Sequence, residues 1–408
     1  MPKKNILFLS LVDINAANIN ENGIYQSLLR RLSCSFNVYI LSPIERRNAY
    51  QSTSYSNEVD GFHFLKVKIG NITKTNKVEK GLSTIDIERK YLNFIKKKFR
   101  DIEFDLVLYP TPPITFYKVI KYIKKRDNAL TYLMLKDIFP QNAVDIGFFS
   151  KKSLIYKYFR NKEKKLYEIS DYIGCMSEAN VRYLLKNNPD LDRKKVEVFP
   201  NSIEPVDLSL SDDEIKSIRI KYNLPLDKKI FIYGGNLGKP QGLPFLIKCI
   251  EKAKGIKDIM FLIVGNGTEF GYVADCKEKL DLNNLVIMER LEKNEFDKVV
   301  ASADVGIISL DYRFTIPNYP SRILSYMQAK LPVLAITDKN TDIGSDIVNN
   351  NIGWWCKDNS IDEFCDIINE IMMEFEKDNM SEKKKNSFEY LKDNFDVRKY
   401  VSNITNKV

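Results

Sequence analysis

The chain has 408 residues, 44% of them hydrophobic and 29% charged, with only 15 prolines and 17 glycines. At about 150 residues per domain this length implies two or three domains, and the composition excludes disordered, collagen-like and low-complexity classes. The net charge of +9 is uneven: residues 1–200 carry +14 and the remainder −5, so one half suits an anionic surface, nucleic acid or anionic lipid, and the other does not.

The opening, MPKKNILFLSLVDIN, has two lysines and a short apolar run. Asp13 and Asn15 stand where a small-residue cleavage site belongs, so a buried first strand over 5–10 is expected in place of a signal peptide. Short runs rich in β-branched and aromatic residues at 37–41, 105–109, 130–135, 172–176 and 196–199 predict buried parallel strands. Helical spacing at 25–32, 87–98, 114–125, 154–169 and 178–186 falls between several of them. The polar stretches 42–61 and 69–81 are expected as loops, the second mobile. Apolar residues thin out over 202–213, SIEPVDLSLSDD, which predicts an interdomain linker ending in a helix start at Ser211-Asp212-Asp213-Glu214.

A second alternating series follows, with strands at 230–233, 261–264, 285–288, 305–309 and 333–336. Helices are expected at 244–254, 272–280, 293–302, 321–330 and 362–376. The alternation predicts an α/β protein of two doubly wound parallel-sheet, Rossmann-like domains with a cleft between them. The expected domains are 1–205, with an amphipathic segment 387–408 crossing back onto it, and 206–386. No apolar run approaches the about 18 residues of a membrane span. Six scattered cysteines without a C-x-x-C pair fit reduced thiols in a cytoplasmic protein. The one histidine, His63, lies in the alternating run GFHFLKV and is expected to be structural, which argues against Ser-His-Asp, Cys-His and zinc-histidine chemistry.

Ligands of open α/β sheets bind at the carboxyl ends of strands, where helix N-termini present free N–H groups. Two junctions of the second series fit. Gly234-Gly235-Asn236-Leu237-Gly238-Lys239-Pro240-Gln241-Gly242 follows a strand, and its glycines let backbone N–H groups approach a bulky anion, with Asn236 and Gln241 as neutral donors. A plain glycine-rich turn satisfies the same residues, and the segment is neither a P-loop nor G-x-G-x-x-G. In Pro317-Asn318-Tyr319-Pro320-Ser321-Arg322, Pro320 is expected in a first helical turn, Ser321 as its cap and Arg322 as a planar phosphate fork, with simple capping and a solvated arginine as the alternative. Gly265-Asn266-Gly267 forms a third, weaker junction. In the first series the candidates are Gly23, after the first strand, and Lys136-Asp137, at a strand's carboxyl end, where a bare salt bridge or cap is the alternative. The basic excess concentrates at Lys118, Lys121, Lys124, Lys125 and Arg126 and in the aromatic-basic run LIYKYFRNKEKKL (154–166), which suits an anionic membrane interface or a solvated helix face. No RNP, KH or zinc motif accompanies it, so nucleic acid is not an expected partner.

The segments TPPIT (111–115), KDIFPQNAVDIGF (136–148), PNSIEP (200–205), GGNLGKPQGL (234–243), VGNGTE (264–269) and PSRILSYMQAKLPVLA (320–335) occur in one order along the whole chain. Together they resemble the family-4 glycosyltransferases of the GT-B fold, in the capsule and O-antigen branch that includes fucosaminyl-transferase-like proteins. The resemblance implies retaining, metal-independent transfer without a cofactor, from a nucleotide sugar, a UDP-sugar with an N-acetylated sugar being preferred. It implies a donor diphosphate on Gly235, Asn236, Gly238, Gln241, Ser321, Arg322 and Gly23, a nucleoside at Gly265, Gly267 and Leu291, and catalytic roles for Lys136, Asp137 and Arg322. The acceptor it implies is a lipid-linked glycan, on the inner face of the cell membrane. The chain departs from the wider family at Pro317 and Ser325, where two glutamates are usual, and at Asn236 and Gln241, where Arg and Lys are usual. Lys136 and Asp137 occupy the region of the usual N-terminal histidine. Those departures keep open a catalytically silent GT-B partner subunit, and the basic first half keeps open an anionic-polymer or membrane binder.

Overall fold

The computed structural model describes residues 3–48, 56–59, 61–72 and 77–408. Residues 49–55, 60 and 73–76, which fall in the two expected loops, lie outside the described residues, and with them the expected mobility of the second. The chain forms two compact units, Met1–Glu204 with Val397–Val408, and Pro205–Asp396.

In the first unit the chain runs β1 (Lys4–Leu9), α1 (Ile24–Ser33), β2 (Phe36–Glu45), β3 (Ser56–Val59), β4 (Phe62–Ile69), α2 (Lys77–Lys98), β5 (Leu106–Pro110) and α3 (Tyr117–Asp127). It continues through β6 (Leu130–Leu135), α4 (Gln141–Asp145), α5 (Leu154–Ile169), β7 (Tyr172–Cys175), α6 (Glu178–Asn187) and β8 (Val196–Val198). The sheet order is β3-β4-β2-β1-β5-β6-β7-β8, parallel throughout except for β3 against β4. Ile6, Leu7, Phe8 and Leu9 of β1 are all fully buried, as a strand covered on both faces requires. The order reverses between β1 and β5, so their carboxyl ends open the crevice of this unit.

The expected loop 42–61 is only partly a loop: β2 runs on to Glu45, paired with β4 through Glu45↔Ile69, and residues 56–59 form β3. Backbone pairing along β4 holds these polar positions in the sheet, a term that side-chain periodicity does not register. Helix α2 likewise begins at Lys77, ten positions before the expected start at residue 87.

The second unit runs α7 (Asp212–Lys221), β9 (Lys229–Asn236), α8 (Leu243–Lys252), β10 (Ile259–Asn266), α9 (Phe270–Lys279), β11 (Leu285–Met288), α10 (Lys293–Ala301) and β12 (Val305–Ser309). It continues through α11 (Arg322–Gln328), β13 (Val333–Ile336), α12 (Ile343–Asn349), β14 (Gly353–Cys356), α13 (Ile361–Glu376) and α14 (Met380–Asn394). The sheet is fully parallel in the order β11-β10-β9-β12-β13-β14, with its reversal between β9 and β12. Helix α7 starts with a capping box, Glu214 N donating to Ser211 Oγ at 3.4 Å and Ser211 N to Glu214 Oε2 at 2.8 Å. Strand β14 and helix α12 escaped the periodicity reading: GWWC is four residues long and begins with glycine, and α12 is barely two turns.

The segment expected to return as one helix is divided at Phe395-Asp396. Helix α14 stays in the second unit, Ser387 Oγ donating to Leu331 O at 2.9 Å, while α15 (Val397–Thr405) belongs to the first unit, where Val397 N donates to Ile203 O at 3.0 Å. His63 stacks on Tyr39, centroids 4.2 Å apart, and all six cysteines are unbridged. Among the described residues, no helix is long and apolar enough to cross a membrane.

Candidate active site

In the second unit the carboxyl ends of β9 and β12 flank the sheet's reversal, and the two junctions singled out from sequence meet there. The first is shorter than expected. Strand β9 continues to Asn236, with Gly234, Gly235 and Asn236 opposite Val264, Gly265 and Asn266 of β10. This extension depends on glycine: a Cβ on Gly265 would lie 1.8 Å from Gly235 O, so only a bare α-carbon lets the strands stay paired here. Gly267 likewise sits over Leu237 O. The absence of side chains at 265 and 267, assigned from sequence to a nucleoside, is thus also required by packing of the β9 and β10 ends. Leu291 is half-buried in the segment after β11.

Past β9, Gly238 caps a short 3-10 turn, Lys239–Gln241, and Gly242 adopts a left-handed conformation (φ 61°) from which α8 starts at Leu243. A Cβ at Gly242 would lie 2.9 Å from Leu310 O, so the turn is pressed against the end of β12. Two hydrogen bonds hold it there: Ser309 Oγ donates to Gln241 O at 2.7 Å, and Asp311 N to Pro240 O at 3.0 Å.

The second junction also differs from expectation. Helix α11 begins at Arg322, Ser321 occupies the cap position in a helical conformation without a side-chain cap hydrogen bond, and Pro320 precedes the cap instead of entering the first turn. With Ser321 already at φ −65° and ψ −15°, its hydroxyl does not turn back onto the helix; it is exposed. Arg322 makes the link between junctions. Its Nη2 donates to Gln241 Oε1, its guanidinium carbon lies 4.3 Å from the centroid of the Tyr233 ring, and its Nη1 is buried without a hydrogen-bond partner.

Two tyrosines that sequence reasoning placed only as strand and helix residues brace this arrangement. Tyr233 Oη lies 2.9 Å from Asn236 O, to which it donates, and 3.2 Å from Gln241 Oε1. Burial raises its phenol above the ordinary range, partly offset by Arg322. Tyr326 Oη accepts from Gly234 N at 3.0 Å and donates to Ile307 O at 3.0 Å, tying α11 to β9 and β12. Their signal in sequence was position alone: Tyr233 immediately precedes the glycines, and Tyr326 lies one helical turn after Arg322.

In the first unit, Lys136 and Asp137 follow β6, one strand from that sheet's reversal. They form no ion pair with each other, so the salt-bridge alternative does not hold. Lys136 Nζ donates to Phe199 O at 3.1 Å and lies 5.1 Å from the Phe199 ring centroid, and burial lowers its pKa to about 7. Burial pushes the Asp137 carboxyl up to about 6, against the opposing effect of Asn142 Nδ2, which donates to Asp137 Oδ1 at 2.6 Å. Thr111, at the end of β5, fixes the loop: Lys136 N and Asp137 N both donate to its Oγ1 at 3.0 Å. Thr111 and Asn142 were motif letters in the sequence, and only the fold gives them this work. Gly23 caps α1 in the loop after β1, half-buried. Two groups of candidate residues therefore form, one in each unit: Gly235, Asn236, Gly238, Gln241, Ser321 and Arg322 at one reversal, and Lys136 and Asp137 near the other. Among the described residues, no three His, Cys, Asp or Glu side chains are grouped so as to hold a metal ion.

Several known proteins are similar to this chain. Residues 214–387 match the family described as Glycosyl transferases group 1. The chain is 24% identical over 362 residues to the probable glycosyltransferase WbjE of Pseudomonas aeruginosa, covering 86% of this chain and 87% of that one. It is 33% identical over 88 residues, 21% of each chain, to the putative colanic acid biosynthesis glycosyl transferase WcaI of Escherichia coli K12. Among solved structures, Anabaena Alr3699/HepE in complex with UDP superposes with a TM-score of 0.71 at 14% identity, covering 99% of both chains. The match over residues 214–387 and the glycosyltransferase-named relatives mark the chain as a transferase, and its two units have the GT-B fold.

Proposed function

We propose that this glycosyltransferase moves a sugar, with retention, from a UDP-sugar to a lipid-linked saccharide in surface polysaccharide synthesis. One observation carries the donor assignment: the Arg322 guanidinium bridges the two strand-helix junctions at the reversal of the second sheet through Gln241, and its buried Nη1 has no partner. A planar cation with a spare donor, beside the glycine-flanked turn 238–242, has the chemistry that a diphosphate requires. The UDP in the HepE structure and the colanic acid assignment of WcaI support the donor and the pathway class. The sub-branch with fucosaminyl-transferase-like members, and with it an N-acetylated sugar, is supported by the motif set alone.

In this reading the acceptor hydroxyl attacks the anomeric carbon on the face from which the diphosphate departs. The bond from that carbon to the phosphate oxygen breaks, and the departing phosphate takes the hydroxyl proton. Arg322, Gln241 and the N–H groups of the turn stabilise the charge that grows on the diphosphate, without a metal ion. Asp137, one oxygen held by Asn142, orients acceptor or sugar hydroxyls through the other, and Lys136 adds a titratable donor beside it. Gly265, Gly267 and Leu291 bear on the nucleoside. The enzyme works at the inner face of the cell membrane, where the basic N-terminal half meets anionic lipid and not nucleic acid.

A thermal-shift series with UDP, GDP, ADP and UDP-sugars tests the donor assignment. Stabilisation by UDP or a UDP-sugar, lost in Arg322→Ala, is the expected result. No stabilisation by any nucleotide overturns it, and stabilisation without slow UDP-sugar hydrolysis points to a silent partner subunit.

A further inference from the structure

The segment PNSIEP (200–205) has no part in the donor reading, yet the structure anchors it on both sides. Before it, Phe199 N donates to Cys175 O at 2.6 Å. Within it, Val397 N donates to Ile203 O at 3.0 Å and Asn22 Nδ2 to Glu204 O at 3.0 Å. Asn201 stands between these anchors, half-buried, and its Oδ1 is buried without a hydrogen-bond partner. An acceptor left unpaired in a protein interior is costly, and folded chains supply it with a protein group or an ordered water.

Asn201 and Lys136 line one cavity of about 10 Å³, together with Tyr25, Leu28, Met134 and Ser202. That volume has room for one water, and a buried water needs two to four polar partners. Lys136 Nζ uses one of its three donors on Phe199 O at 3.1 Å and has two left. The hydroxyls of Tyr25 and Ser202 belong to residues of the same lining. The cavity thus joins a cation with spare donors to an orphaned acceptor, both too polar for a dry hole.

We propose that Asn201 is a positioning residue for Lys136: one buried water, accepting from Lys136 Nζ and donating to Asn201 Oδ1, holds the lysine amine at the end of β6. A water held this way favours the ammonium form, against the burial that lowers its pKa. The titratable groups on neighbouring elements are otherwise committed. Cys175 of β7 stays a thiol, pushed up to about 12 by burial. Glu197 of β8 accepts from Tyr132 Oη of β6 at 2.6 Å and from Lys407 Nζ at 3.1 Å. Burial also raises the Tyr25 phenol of α1, and the Asp137 carboxyl is turned to Asn142. That the held amine bears on transfer rests on the catalytic reading of Lys136 above, whereas the water and its two partners do not.

A crystal structure of the substrate-free chain that resolves ordered water is expected to show one within hydrogen-bond distance of Lys136 Nζ and Asn201; a dry cavity overturns the proposal. Competitive lysine labelling with acetic anhydride, read by mass spectrometry across pH, follows the proton on Lys136 without any substrate. Asn201→Leu should weaken its proton affinity about tenfold, one pH unit, as loss of a hydrogen bond to a charged group implies. Asn201→Asp, of the same shape, should strengthen it, because a carboxylate favours the nearby ammonium. A Lys136 midpoint that stays fixed in both variants, or moves the same way in both, assigns Asn201 to the architecture alone and overturns the proposal. In UDP-sugar hydrolysis, the alkaline limb of the rate–pH profile should follow the labelling midpoint in each variant. A labelling shift without movement of that limb overturns the catalytic reading of Lys136 and leaves the Asn201 site standing.

Discussion

Arg322 and Gln241, 81 positions apart in sequence, are joined by a hydrogen bond from Nη2 to Oε1, and the same guanidinium covers the ring of Tyr233. One side chain thereby couples the turn after β9 to the start of α11, on the two sides of the point where the sheet order reverses. In the donor reading, a diphosphate finds a cation already oriented by a neutral amide and an aromatic face.

Arg322→Ala should therefore abolish UDP-induced stabilisation and reduce transfer by about 10²–10³-fold, the range for loss of one well-placed donor to developing charge. Arg322→Lys should recover little of it, because an ammonium cannot reach Gln241 and a phosphate with one planar fork. Nucleotide titration by calorimetry and initial rates with UDP-sugars check both.

Tyr326→Phe removes a hydroxyl that is wholly buried and serves both Gly234 N and Ile307 O. Leaving those groups unpaired should cost about 1–3 kcal/mol of stability. Tyr233→Phe keeps the ring under Arg322 but removes the donor that holds Asn236 O, so nucleotide affinity should fall more than stability does. Urea unfolding beside UDP binding separates the two.

The buried pair of titratable groups gives opposite pH signatures. Asp137 holds its proton up to about 6 in the fold, against about 3.9 in an unfolded chain, so its contribution favours folding in acid and is lost as pH rises through 6. Asp137→Asn should accordingly be more stable than wild type above pH 6, yet less active. Lys136, lowered to about 7, carries a cost that is full below pH 7 and fades toward the ordinary lysine value. If Asp137 works as a carboxylate, transfer should fall as pH drops through about 6. Asn142→Ala should move that limb upward, because Asn142 favours the ionised form. Rate–pH profiles and melting curves from acid to alkaline pH check these signs.

Gly265→Ala should displace the end of β9, since its Cβ would collide with Gly235 O, and should weaken UDP binding along with stability. Gly353→Ala is the control. Its Cβ would lie 1.8 Å from Val333 O at the far edge of the same sheet, so it should lower the melting temperature while the surviving folded protein binds UDP normally.

Strand-helix alternation was legible because buried parallel strands need unbroken apolar runs, and 285–288, 305–309 and 333–336 coincide with β11, β12 and β13. Elements held by backbone pairing or short packing contacts were not legible: β3, SNEV, is mostly polar, β14, GWWC, begins with glycine, and α12 is barely two turns. Nor was the split of the last segment, because α14 and α15 differ in what they touch and not in how they are patterned.

Composition, periodicity and motif order determined that this chain makes two Rossmann-like units and which strand ends hold its polar candidates, since those properties depend on neighbours a few positions away. The tertiary structure alone decided that Arg322 reaches Gln241, that Thr111 and Asn142 hold the Asp137 loop, and that the basic excess divides between internal pairs on α3, such as Lys124 with Asp171, and an exposed apolar corner at α5, where Leu154 and Ile155 face solvent. The hydrogen bonds and the Lys124–Asp171 pair among these join positions 5 to 81 residues apart, and such contacts exist only once hydrophobic burial has brought the sheet and its helices together.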